Sequence, residues 1–184
     1  MKINYTKTYK NLENDNHVNA PEYLIVHHSG GTDANPLADS SNQTANDIEA
    51  YHISKGWRGL GYNYVIQKDG SIWAGRPEYA EGAHTVGYNI KSLGICLTGN
   101  FDATMPTEAQ IASLKELLKT KAEQYNINLK NIVPHRKFAV KTCYGNKLSD
   151  DWARNLITTP TPVVPVGKTR EEKEAEIIRL IHEL

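Results

Sequence analysis

An α/β domain organised around a central sheet is predicted by three stretches of this chain. Tyr23-Leu-Ile-Val-His27-His28 is nearly continuous in apolar and aromatic residues, as expected of a central strand buried on both faces. Tyr62 to Ala74 has the form of a hairpin, with Asp69-Gly70 at the turn between two short strands. From Thr107 to Tyr125, Ile111, Leu114, Leu118, Ala122 and Tyr125 trace one apolar stripe of a helix that would cover a face of the sheet.

The elements follow in order. Residues 1–22 are polar, rich in Asn and Lys, and read as an extended arm ending at the Pro21 turn. The strand at residues 23–28 is followed by a loop from Ser29 to Gln43 rich in Gly, Asp, Asn, Pro and Ser. Thr44 then caps a helix with Asp47 three residues on; Ile48, Tyr51, His52 and Lys55 would share one face, and Gly56 ends it. After the hairpin and a loop holding Arg76, His84 and Tyr88, Leu93 to Leu97 supplies another buried strand. Thr107 and Gln110 form a capping box for the long helix. Asn131 to Val133 leads into the loop from His135 to Cys143, and Ser149 precedes a short helix carrying Trp152 and Leu156. One domain therefore spans 23–157. Residues 158–167 read as a stiff Pro-rich linker, and 168–184 as a charged helix with an apolar face of Ile177, Ile178, Ile181 and Leu184. So short a helix needs a partner surface, either its own domain or another copy through a short coiled coil.

At 184 residues there is room for one substantial core and little for a second. Lys plus Arg and Asp plus Glu number 21 each, so no global field recruits nucleic acid or an anionic membrane. The start of the chain lacks the apolar core of a secretory signal and no run approaches a membrane span; synthesis as a soluble cytoplasmic product is expected, with no membrane insertion. Cys96 lies in an apolar run and reads as a buried thiol, whereas Cys143 lies in a polar loop suited to a metal thiolate.

The chemistry-bearing residues converge on one idea. His135 and Cys143, eight apart, together with an imidazole from the strand at 27 or 28, make a three-ligand set suited to one tetrahedral zinc whose fourth position stays open for water. A structural zinc would want four protein ligands, usually in close pairs, and the two cysteines form none. Successive strand residues point to opposite faces, so only one of His27 and His28 reaches such a site, and periodicity does not choose between them. Lys141, two residues before Cys143, could lower the thiol pKa and present its ammonium to an oxyanion; its bland alternative is a solvated loop lysine. Tyr62 follows the flexible Gly59-Leu-Gly61, so its phenol could enter a cleft, or it could simply be a packed strand aromatic. His84, between Gly82-Ala83 and Gly87-Tyr88-Asn89, sits in a small-residue loop of the kind that lines binding clefts, unless it is a surface histidine touching only water.

Taken together, His27 in Leu-Ile-Val-His-His-Ser, the stretch from His52 through Gly56-Trp57 to Gly61-Tyr62-Asn-Tyr, Gly82-Ala-His84-Thr-Val-Gly-Tyr88-Asn89, Ser92-Leu-Gly94-Ile95, and His135 with Lys141-Thr-Cys143 resemble the type 2 N-acetylmuramoyl-L-alanine amidases. That family includes phage lysozymes of the amidase kind and the animal peptidoglycan recognition proteins. The resemblance implies a central mixed β-sheet flanked by helices with one zinc in a surface groove. It implies His27, His135 and Cys143 as the zinc ligands, which favours His27 over His28. It implies Tyr62 and Lys141 as catalytic residues, and His84, with Tyr88 and Asn89 beside it, in the substrate groove. The implied partner is peptidoglycan and the implied setting phage-type lysis, a cytoplasmic endolysin released by a separate pore-forming protein. A bacterial enzyme recycling imported muropeptides, a non-catalytic peptidoglycan-binding module of the same fold, and a thiol hydrolase using Cys143 and His135 are the competing readings. Where many relatives have Cys-Pro-Gly, this chain has Cys143-Tyr144-Gly145, so Tyr144 is expected to take up groove space.

Overall fold

The computed structural model describes residues 1–12, 16–32 and 34–158; the linker from 159 onward and the 168–184 helix expected from the sequence lie outside them. Six strands form one mixed sheet: β1 (Ile3–Tyr5), β2 (Tyr23–His28), β3 (Tyr64–Ile66), β4 (Ile72–Ala74), β5 (Ser92–Leu97) and β6 (Ile132–Pro134), in the order β1-β4-β3-β5-β2-β6. Only the β3–β4 hairpin is antiparallel; all other neighbours run parallel. The hairpin turns at Gly70, whose φ of +83° is one that a side chain would resist. β2, paired on both sides, is buried along nearly its whole length, which is why it reads as an unbroken apolar run.

Each face of the sheet has its own cover. Leu24, Val26, Tyr64, Ile66, Leu93, Ile95 and Leu97 pack against Leu114, Leu117 and Leu118 of α3 (Glu108–Gln124) and against Ala153 of α4 (Trp152–Thr158). On the other face, Val65 and Cys96 pack with Leu60 and with Ala45 and Ile48 of α2 (Ala45–Ser54). Both long helices begin at the expected caps: Thr107 with Gln110 forms the capping box read from the sequence, and the Thr44 cap proves to be a capping box with Asp47.

Two expectations need correction. The inner face of α2 is Ala45, Ile48, Glu49 and His52, whereas Tyr51 is 59 % exposed and Lys55 lies beyond the last turn. The stripe at i, i+3, i+4 and i+7 can include Glu49 because its carboxylate accepts from the Thr8 amide (3.1 Å) and hydroxyl (2.6 Å). Those bonds also bear on the N-terminus, which is no free arm. β1 adds to the sheet edge in parallel with β4, α1 (Tyr9–Leu12) follows, and Leu12 is fully buried. Its polar composition concealed a strand because an edge strand of three residues needs little apolar surface.

Candidate metal centre and groove

Strand register builds the centre. β2 and β6 are parallel neighbours with Val26 opposite Pro134, so the next residues, His27 and His135, fall side by side at the C-terminal ends of their strands, with ring centroids 4.5 Å apart. The Pro134-His135 step leaves the strand in a short 3-10 turn, and the loop that follows returns Cys143 to the same place. One ligand atom each from His27, His135 and Cys143 lies within 4.8 Å of the others. The alternation along β2 separates its two histidines. His27 shares its register with Cys96 on the α2 face, whereas the Nδ1 of His28 accepts the Phe101 amide at 3.0 Å.

The electrostatics suit a cation. Burial first, then the neighbouring imidazoles and Lys141, holds His27 well below its ordinary pKa; burial, helped by Lys141, lowers His135 to about 4. Both rings are therefore neutral near pH 7, with lone pairs free to coordinate. Burial pushes the Cys143 thiol up to about 12; the His28 amide, 3.4 Å from Sγ, and then the Lys141 ammonium pull it down, the latter as expected, but together they offset only part of the burial. A divalent cation would supply the missing charge. Two neutral imidazoles and one buried thiol, converging without a fourth protein donor among the described residues, fit a zinc site with an open position.

One arginine shapes the Cys143 loop. The Arg136 amide donates to the Cys143 carbonyl (2.7 Å), and its guanidinium donates to the carbonyls of Thr142 (3.2 Å), Gly145 (2.8 Å) and Leu148 (2.6 Å) and to the Asp150 carboxylate (2.5 Å). From the opposite side, Asp102 accepts from the Thr142 hydroxyl (2.6 Å) and the Asn146 amide (2.8 Å). Neither residue was singled out from the sequence. Arg136 could have been suspected as the neighbour of His135, but nothing in the chain marks Asp102, some forty residues upstream. Tyr144 does not enter the groove. It is fully buried, its hydroxyl donating to the carbonyls of Ser149 (2.8 Å) and Asp150 (3.0 Å) and its ring lying 5.6 Å from that of Trp152.

His27 is fully buried against the His135 ring, while His135 and Cys143 line a groove of about 1030 Å³. Tyr62, Lys141, His84 and Asn89 line it, as do Trp57, Phe138 and Asp102, which sequence reasoning left aside. The Tyr62 ring is 5.0 Å from that of His27, and burial together with Cys96 and Cys143 raises its phenol well above the usual value, so it stays protonated and can donate. The sequence expected His84, Tyr88 and Asn89 together in the groove. Tyr88 is not among the lining residues but stacks on Phe138 at 3.6 Å, while the side-chain oxygen of Asn89 is occupied by the amides of His84 (3.0 Å) and Thr85 (2.9 Å). Cys96 and Cys143 are both free thiols.

A family model described as N-acetylmuramoyl-L-alanine amidase matches residues 17–148, a span that contains every one of these ligands and groove residues. The chain belongs to that amidase family. The endolysin of Escherichia phage T7 is 36% identical over 126 residues, 65% of this chain and 82% of that protein. The human N-acetylmuramoyl-L-alanine amidase is 31% identical over 155 residues, 79% of this chain and 27% of that protein. Among solved structures, the endolysin amidase LysCS from Clostridium intestinale URNW superposes with a TM-score of 0.68 at 31% identity, covering 79% of this chain and 88% of that one. The mixed sheet with its flanking helices is thus the fold of this amidase family, and the chain is a peptidoglycan amidase.

Proposed function

We propose that this amidase is zinc-dependent, that it hydrolyses the amide joining the lactyl group of N-acetylmuramic acid to the L-alanine of the stem peptide, and that it acts as a phage-type endolysin. The observation carrying the reading is the convergence of His27, His135 and Cys143 within 4.8 Å, at a groove that His135 and Cys143 line, in a chain belonging to this family. Zinc, when bound, supplies Lewis acidity toward the scissile carbonyl and toward water. The groove holds the glycan and peptide on either side of the bond to be cut. Lys141, at the groove wall, places an ammonium where the carbonyl oxygen gains negative charge, and the protonated Tyr62 phenol donates a hydrogen bond to the reacting oxygens. Similarity to phage proteins named endolysins supports the lysis setting, in which a separate pore-forming protein releases the enzyme to the cell wall.

Removal of the metal tests the chemistry directly. Chelation should abolish release of stem peptides from purified sacculi, stoichiometric zinc should restore it, and mass spectrometry should find free L-alanine amino termini. Chelator-treated protein retaining full activity would sink the metal role and favour a thiol hydrolase. A strong preference for small soluble muropeptides over intact sacculi would replace lysis with recycling.

A further inference from the structure

His84 lines the groove, yet its ring is committed elsewhere. Its Nδ1 lies 3.1 Å from Nε2 of His27, the nitrogen pointing away from Cys143, while Nδ1 of His27 faces the Cys143 sulfur at 3.8 Å. The direction of the proton between the two rings follows from their surroundings. The Ser92 hydroxyl spends its hydrogen on the Tyr88 carbonyl at 2.7 Å, so toward His84 Nε2, 3.4 Å away, it can only accept. That places the proton of a neutral His84 on Nε2 and leaves Nδ1 an acceptor, a role the Thr85 hydroxyl at 3.0 Å also uses. His27 must then donate from Nε2, which leaves the lone pair on Nδ1, toward Cys143.

The ring of His84 is seated for this task. A Cβ on Gly94 would come within 2.5 Å of its Cγ, and one on Gly82 within 2.7 Å of its Cδ2, so the two glycines form a slot that no other residue could make. The Asn89 side chain holds the backbone of the same residue at 3.0 Å.

We infer that His84 is a positioning residue of the metal centre: through the chain Ser92–His84–His27 it fixes the tautomer and ring orientation of His27 so that Nδ1 is presented for coordination. This rests on the zinc reading above. Outer partners of this kind typically govern metal affinity by about 10- to 100-fold.

Long-range proton–nitrogen NMR of the imidazoles in the intact chain reads the tautomer without any variant. The expected result is a single His27 form protonated at Nε2. Zinc affinity, by competition with a chromophoric chelator, and the visible spectrum of the cobalt-substituted protein are then compared for the parent, His84→Ala and His84→Gln. His84→Ala should lose about 10- to 100-fold in affinity and shift the cobalt bands, whereas the glutamine carbonyl, able to accept from His27, should recover most of both. His27 protonated at Nδ1 in the parent, or a His84→Ala protein with the parent's affinity and spectrum, overturns the role of His84 alone. A parent that takes up no zinc overturns the metal reading of the site and this inference with it.

Discussion

Lys141 and Cys143 show how little a single side chain means apart from its neighbours. Lys141 is exposed on the groove wall, so its ammonium is available to substrate. Losing one donor to a developing oxyanion costs roughly two to three orders of magnitude in rate. Lys141→Ala should therefore lower kcat by about 100- to 1000-fold while zinc content and melting temperature stay at parental values; a variant as active as the parent would remove Lys141 from the mechanism. Cys143, by contrast, is almost wholly enclosed, and burial outweighs the charge of Lys141 on its thiol. Sequence proximity gave the sign of the lysine's effect but carries no information on desolvation, which outweighs it.

The segment from His135 to α4 is organised as one element by two residues that do not line the groove. Arg136 gathers three carbonyls and a carboxylate from both sides of Cys143, and Tyr144 fills the core beneath, against Trp152 of α4. Tyr144→Ala should cost about 3–5 kcal/mol, the range for truncating a buried aromatic, and Tyr144→Phe about 1–3 kcal/mol, because the Ser149 and Asp150 carbonyls lose their shared donor. Urea denaturation would measure both; an alanine variant as stable as the parent would mean that the loop closes without this ring. The Cys-Tyr-Gly sequence thus keeps the groove clear by turning the tyrosine inward.

Across the whole molecule, buried histidines link folding to pH. Burial, and then the charge of Arg76, lowers His52 to about 4, and its Nδ1 accepts the Gly61 amide at 3.0 Å; burial lowers His28 to about 4 against the pull of Asp102. Unfolding returns both to about 6.5. Between pH 6.5 and 4 the unfolded chain therefore binds protons that the folded chain refuses, so stability is fully present above that window and declines as the pH falls through it. Urea midpoints taken near neutrality and at about pH 5 and about pH 4 should fall in that order. A midpoint constant across the range would show that these rings are not neutral in the fold.

Much of this was legible in the chain itself. The buried strand, the Asp-Gly hairpin, the two helix caps and the three metal-ligand candidates are local patterns, because alternation, helical period and turn chemistry act over a few residues. Resemblance to a family then singled out His27. Tertiary structure decided what depends on register and enclosure. The parallel pairing of Val26 with Pro134 sets His27 beside His135, the N-terminal strand joins an edge despite its polar composition, and Tyr144 turns inward while Tyr88 stacks on Phe138. The clamp from Asp102 and the His84 contact to His27 join residues distant in the chain. Whether such partners meet is settled by how strands align and how the core closes, and neither is written in the spacing of residues along one segment.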